Sequence, residues 1–299
     1  MNSLSLQCPT HRARKSKGPG KNPGTLRGSL GNSFRGNVQQ QCPRVFSRSR
    51  KQAVLLASLM VCCAAAQDAR QIVEESQRRG RANSQRYEGV LEVVAADGKT
   101  SSKSWQSLRL GSYGNSKAVI RFTAPAEVKG VALLIVNHPD RTSDQWMWTP
   151  AIGRDRRIAL QDRSTRFFGT DFSFEDLEER DVDQYDFRFT GDEAIDGAPC
   201  WRIEARPRQT KTSQYTLSRT WVRKDNYVPV QWENFVKDQL VRRLRASDIQ
   251  NVQGIWTARV LEMTDRRRKS RTVLRLQKLE YNVPLKDEDF TVQALRREQ

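Results

Sequence analysis

The chain has 299 residues, of which 52 are Lys or Arg and 34 are Asp or Glu, for a net charge of +18. Eleven of the basic residues and none of the acidic ones lie in residues 1–52, so the chain from Gln67 onward carries 41 against 34, a net of +7 over 233 residues. That smaller excess suits attraction to anionic headgroups, and it removes the case for a nucleic-acid partner, which would rest mainly on the first 52 residues.

Residues 1–52 read as a basic, disordered leader containing no Asp or Glu. A start further downstream, at Val45, would leave an ordinary signal sequence. An acid-free basic leader also describes an organelle transit peptide, but here the leader runs into a compact apolar block. Ala53 to Ala66 is apolar except for Ser58, comes after Arg48, Arg50 and Lys51, and ends in Ala64-Ala65-Ala66. Basic, apolar and small segments in that order make a secretory signal peptide, with cleavage expected after Ala66. The block is shorter than the ~20 residues a membrane-spanning helix needs. Cys8, Cys42, Cys62 and Cys63 all precede the expected cut, leaving Cys200 alone and no intramolecular disulfide. Lipidation at Cys62 is disfavoured, because Leu59-Met60-Val61 is a poor version of the required signal.

Residues 67–299 are expected to form a single β domain. Gln67 to Arg86 reads as one helix, with Ala69, Ile72, Val73 and Ser76 at near-helical spacing. Thirteen short strands come after it. The first six are Tyr87–Ala95, Lys103–Leu110, Ala118–Phe122, Val131–Val136, Gln145–Thr149 and Arg156–Leu160. The remaining seven are Tyr185–Thr190, Cys200–Ala205, Tyr215–Val222, Val228–Val236, Leu240–Ile249, Ile255–Met263 and Thr272–Tyr281. Short strands punctuated by turns predict an antiparallel sandwich or barrel. The exception is the insertion from Phe167 to Glu179, where Asp171 to Glu179 reads as a short helix after a turn at Gly169. The N-terminal helix and the Phe174–Glu179 segment are the two covers available to a curved sheet. Periodicity leaves open whether the apolar space beneath them is packed core or ligand cavity.

Few residues could carry chemistry. From Gln67 on there is one histidine, His138, and one cysteine, Cys200, too few for a zinc site, and neither a metal nor a cofactor is expected. His138 reads as an exposed loop residue and Cys200 as a small buried strand residue. The acidic density at Asp171, Glu175, Asp176, Glu178, Glu179, Asp181 and Asp183 reads as one solvated helix face. Carboxylate-dependent hydrolysis through Asp171 and Glu175 is the weak alternative. The basic residues Arg156, Arg157, Arg242, Arg243, Arg266, Arg267 and Arg268 fall at expected strand ends or turns, and are candidates for docking to an anionic membrane or an acidic partner. Trp146 and Trp148, two apart, share one face of a strand. Aromatic side chains of this kind either fill a core or line a pocket for an acyl chain.

Several phrases resemble the periplasmic outer-membrane lipoprotein-sorting family, the Lol-type carrier superfamily, and in particular its larger branch associated with RND-type exporters. They include Arg121-Phe122-Thr123-Ala124-Pro125, Asp144-Gln145-Trp146-Met147-Trp148-Thr149-Pro150, and Phe168-Gly169-Thr170-Asp171-Phe172-Ser173-Phe174-Glu175-Asp176-Leu177. Gly254-Ile255-Trp256-Thr257 and Arg271-Thr272-Val273-Leu274 continue the match, which covers roughly residues 67–297. Phe167-Phe168 departs from the Phe-Met pair common there, and the Arg-rich turns are more basic. The resemblance implies a mainly β fold with a few helices: a curved, antiparallel, half-open β-barrel covered by the N-terminal helix and a short lid helix. It implies an acyl lipid or lipoprotein cargo, an inner-membrane exporter of RND or ABC type, an outer-membrane acceptor, a monomer and no catalysis. The expected cavity residues are Phe122, Trp146, Trp148, Phe167, Phe168, Phe172 and Trp232, with Gly169, Asp171 and Ser173 shaping the lid. A different use of the same fold, as an envelope-stress sensor or exporter accessory that binds protein, is the alternative.

Overall fold

In the computed structural model, residues 68–297 are described; the leader, signal-peptide, cleavage-site and Cys62 readings fall outside them. Thirteen antiparallel strands form one curved sheet in the order β6-β5-β4-β3-β2-β1-β13-β12-β11-β10-β9-β8-β7. The first six strands are β1 (Ser84–Val94), β2 (Thr100–Ser112), β3 (Asn115–Ala124), β4 (Ala132–Val136), β5 (Asp144–Thr149) and β6 (Arg154–Arg157). The others are β7 (Tyr185–Ile195), β8 (Ala198–Pro207), β9 (Leu217–Arg223), β10 (Pro229–Val236), β11 (Gln239–Val252), β12 (Ile255–Asp265) and β13 (Ser270–Tyr281). The chain starts at the centre of the sheet, walks to one edge, crosses to the opposite edge and walks back, so that β13 pairs with β1. Strands β6 and β7 are not paired with each other, which leaves the barrel half-open, as the family resemblance implied.

That topology forces one long connection. Residues 158–184 must pass from β6 at one edge to β7 at the other, and they do so as a strap over the sheet rather than as a lid helix. The expected helix at Asp171–Glu179 is a single 3-10 turn, Glu175–Leu177. A hairpin precedes it, with Phe167 N–H donating to Phe172 O (2.8 Å) and Phe174 N–H to Thr165 O (3.2 Å). Gly169 makes the turn at φ +74°, as expected.

The first helix, α1 (Ala69–Arg79), is also shorter than its periodicity suggested. Asp68 caps it by accepting from Arg70 N–H at 2.9 Å, and it ends at Gly80. Residues from Ser84 are needed by the sheet, where they pair with both β2 and β13. Its buried stripe is Ala69 and Ile72, packed on Trp201, Ile203 and Val222 of β8 and β9.

Side-chain alternation sorts the rest into two layers. From β1 to β4, Leu91, Trp105, Phe122, Leu133 and Ile135 face the strap and meet Ile158, Phe167 and Phe174. The intervening Val119, Ala132 and Leu134 face the other way, against Phe290 and Leu295 of the C-terminal segment. Strand β4 is covered on both sides, so it reads as a continuous apolar run (ALLIV) instead of an alternation.

Candidate functional site

Most of the acidic residues expected on a solvated helix face instead anchor the strap to the sheet. Asp171 is fully buried and accepts from the hydroxyls of Ser270 (2.5 Å) and Thr272 (2.8 Å) on β13. Glu175 accepts from Gln214 N–H at 2.9 Å and from the Ser213 hydroxyl. Asp176 accepts from Arg242 Nη1 (2.9 Å), Tyr215 OH (2.8 Å) and Ser173 Oγ (2.6 Å). Glu178 pairs with Arg163, and Glu179 with Arg109 of β2 and the Ser116 hydroxyl of β3. The sequence places these carboxylates close together in the chain; the structure sends each to a different partner, with its oxygens occupied by donors. Arg242, expected on a basic docking surface, is only 7% exposed because it answers Asp176 from inside.

The other basic candidates lie nearer solvent. Arg156 and Arg157 sit on β6, an edge strand four residues long that replaces the expected Arg156–Leu160, and Arg157 reaches Asp144. Arg266, Arg267 and Arg268 are exposed in the β12–β13 turn. Arg243 is half-buried against Glu233. His138, expected as an exposed loop histidine, is half-buried: its Nε2 lies 3.0 Å from Asp144 Oδ2, and Arg141 shares that carboxylate. Asp144 is held well below the usual carboxylate range: partial burial opposes this, but hydrogen bonds from Arg141, Arg157 and His138 prevail.

Beyond the packed layer under the strap, the concave face is hollow. A cavity of about 530 Å³ lies between α1, the strap's end from Asp176 to Val182, and strands β7 to β12. Its apolar wall includes Val73 of α1, Phe187 of β7, Ile203 of β8, Val222 of β9, Trp232 of β10, Leu244 of β11, and Leu261 and Met263 of β12. Arg109, Tyr113, Arg180, Asn234 and Tyr281 supply polar groups. Burial first of all pushes the Tyr113 phenol up to about 12 and Tyr87 well above its ordinary value, so both line the cavity as neutral groups. At the β11–β12 hairpin, Ile255 and the 46% exposed Trp256 carry the lining out to solvent.

Of the seven expected cavity residues, one is there: Trp232. Phe122 stacks on Phe167, and Phe168 meets both edge-to-face, with ring centroids 5.3–5.6 Å apart, so that the three fill the space under the strap. Phe172 is buried within the strap hairpin. Trp146 and Trp148 do share a face of β5, but that face packs on the C-terminal segment with Phe290 and Leu295. Asp171 and Ser173 were expected to shape a lid helix. Asp171 is an anchor instead, and Ser173 donates both its N–H (2.8 Å) and its hydroxyl (2.6 Å) to Asp176.

The lining that sequence reading missed has a signal after all. On β9, β10, β11 and β12 it runs at i, i+2: Ser218-Thr220-Val222, Trp232-Asn234, Leu244-Ala246 and Leu261-Met263. On β9, β10 and β11 a large apolar residue is accompanied by small or polar ones along the inward face, which a filled core would not need.

A family model whose description reads "Uncharacterized protein" matches residues 114–297, more than half of the chain. No curated protein matches. Among solved structures, an outer membrane lipoprotein-sorting protein domain from Vibrio parahaemolyticus is 25% identical with a TM-score of 0.74, covering 78% of this chain and 100% of that one. A DUF1329 family protein from Desulfovibrio piger is 28% identical with a TM-score of 0.74, covering 77% and 98%. A LolA superfamily protein from Nitrosomonas europaea shares the fold at 20% identity and a TM-score of 0.61, covering 76% and 98%.

Proposed function

The chain belongs to the outer-membrane lipoprotein-sorting group of the LolA superfamily, and from that premise we propose that it is a periplasmic carrier enclosing the acyl chain of a lipid or lipoprotein. The observation that carries this reading is the cavity of about 530 Å³, apolar along strands β7 to β12 and open near Trp256. Ligand cavities commonly measure ~300–1,000 Å³. Each methylene taken out of water gains ~0.8 kcal/mol, so a sixteen-carbon tail crosses an aqueous compartment only if something encloses it. In this reading the carrier takes its cargo from an inner-membrane exporter and passes it toward the outer membrane. Exposed Arg156, Arg266, Arg267 and Arg268, with Arg157 and Arg243, are the candidate contacts to anionic headgroups or an acidic partner. The chain performs no catalysis in this role.

The test is native mass spectrometry of the protein purified from periplasm, together with titration of a fluorescent acyl probe. Co-purifying lipid and saturable binding are the expected results. A protein that emerges without lipid and binds no probe would overturn the carrier reading.

A further inference from the structure

Where the strap crosses the cavity, one cation has more donors than its neighbours use. The Arg180 side chain lines the cavity and remains 30% exposed although the fold surrounds it. Its hydrogen bonds are long: 3.4 Å to Glu175 Oε1 and 3.5 Å to Ser218 Oγ. The guanidinium lies 5.5 Å from the Tyr185 ring centroid and 5.6 Å from that of Tyr215, which hold it in place without consuming N–H groups. A guanidinium carries five such donors.

Two neutral groups continue the site. Ser218 and Asn234, 6% and 8% exposed, also line the cavity, and the Ser218 hydroxyl donates to Asn234 Oδ1 at 2.8 Å. That bond leaves the Asn234 amide nitrogen with no protein acceptor among the described residues. That amide nitrogen faces the open space of the cavity, where a ligand oxygen can accept from it. The carboxylates that share the lining already have cations or donors of their own. Asp176 is matched by Arg242, Glu178 by Arg163 and Glu179 by Arg109, while Asp181 caps the turn at Asp183. Glu175, nearest to Arg180, is also filled by Ser213 and Gln214.

From this end the apolar wall runs along paired strands: Trp232 lies opposite Leu244, and Leu244 opposite Met263. A ligand matching this arrangement is charged at one end and hydrocarbon for the rest of its length.

We propose that the cavity selects acyl chains bearing an anionic head, with the carboxylate or phosphate oxygens seated on the Arg180 guanidinium and the Asn234 amide, which Ser218 holds in place, and the chain lying on Trp232, Leu244 and Met263. The proposal rests on the carrier reading and adds a head-group class to it. Arg180 is a binding residue here; it meets the strap's anchors through its long contact with Glu175, which Ser213 and Gln214 also hold, and through the Tyr215 ring.

The experiment uses the full chain and three competitors of a neutral fluorescent acyl probe: a sixteen-carbon fatty acid, the matching lysophosphatidic acid and the matching fatty alcohol. Expected is about tenfold tighter binding of the two anions than of the alcohol, the worth of one charge-assisted hydrogen bond. Arg180→Gln should erase that preference by weakening the two anions far more than the alcohol, with a circular dichroism spectrum and urea midpoint close to those of the unaltered protein reporting that the variant is folded. Arg180→Lys should keep part of the preference, and Asn234→Ala should lower it by about threefold, as expected for one neutral donor. Equal binding of all three by the unaltered protein would overturn the head-group site while leaving the carrier intact. Failure of all three to bind would overturn the carrier reading instead. Inorganic phosphate is the remaining arm: displacement of the probe by phosphate alone would assign the site to a free anion and overturn the lipid head.

Discussion

The strap's hold on the sheet can be tested at Asp176. Its side chain is 4% exposed and that of Arg242 is 8% exposed, so the pair sits almost fully out of water. Replacing Asp176 with Ala removes the acceptor for Arg242, Tyr215 and Ser173 together. Arg242 would then be left with Tyr215, Gln214 and the carboxylate of Asp265, which is 3.9 Å from its Nε. Breaking a buried pair by deleting one partner costs about 3–5 kcal/mol, because the surviving charge stays buried. Asp265 offsets part of that, so the expected loss is about 3 kcal/mol. Urea unfolding followed by tryptophan fluorescence measures it as a lower midpoint at unchanged slope. The companion variant is Asp183→Ala, which removes only the exposed pair with Arg70 and should leave the midpoint where it is. A midpoint for Asp176→Ala indistinguishable from that of Asp183→Ala would refute the argument that buried carboxylates hold the strap down.

Three further outcomes are expected from the geometry. Leu244→Trp puts a second indole opposite Trp232 inside the cavity and should weaken acyl-probe binding by about tenfold or more, since two displaced methylenes already cost that much; thermal stability should not fall. Gly89→Ala should lower the urea midpoint by the equivalent of about 1–3 kcal/mol, because a Cβ there would come 2.2 Å from Arg275 O at the β1–β13 bulge. Acid should destabilise the fold through Asp144 and Glu204, whose folded-state pKa values lie below their ordinary 3.8 and 4.5. Their contribution is complete above those values and is lost as pH falls through the depressed folded-state ones. The melting temperature should therefore drop below about pH 4, and less steeply in Asp144→Asn, which begins less stable at neutral pH.

The strands were legible because alternation and turn residues are local signals, and thirteen inferred runs correspond to thirteen observed strands. Their order was not legible, since pairing of β1 with β13 joins residues some 190 positions apart. Helix α1 was overextended because Arg81 to Arg86 carries no helix breaker after Gly80; the two neighbouring strands claim Ser84 onward. Asp171, Glu175 and Asp176 were misread for a different reason. Acidic residues at short spacing normally face water, and nothing local reveals that Ser270, Gln214 and Arg242 wait at distant points of the chain. Trp146 and Trp148 were placed on the correct strand and face, but the residues covering that face come from the last turn of the chain.

Why one half of the concave face is filled and the other hollow is explained by the strap's own composition. Its first part supplies Ile158, Phe167, Phe168 and Phe174, large side chains that point into the sheet and pack against Phe122 and Leu133. Its later part, Glu178 to Asp183, offers no large apolar side chain but Val182. There Glu178 and Glu179 are drawn sideways to Arg163 and Arg109, and Arg180 leans on two tyrosine rings. Side chains committed to ion pairs at the rim cannot also plug the space beneath them. The inward faces of β8 to β12 carry apolar residues as those of β1 to β4 do, with Ser218, Thr220, Asn234 and Ala246 set between them. What distinguishes core from cavity in this fold is the sequence of the segment that crosses above.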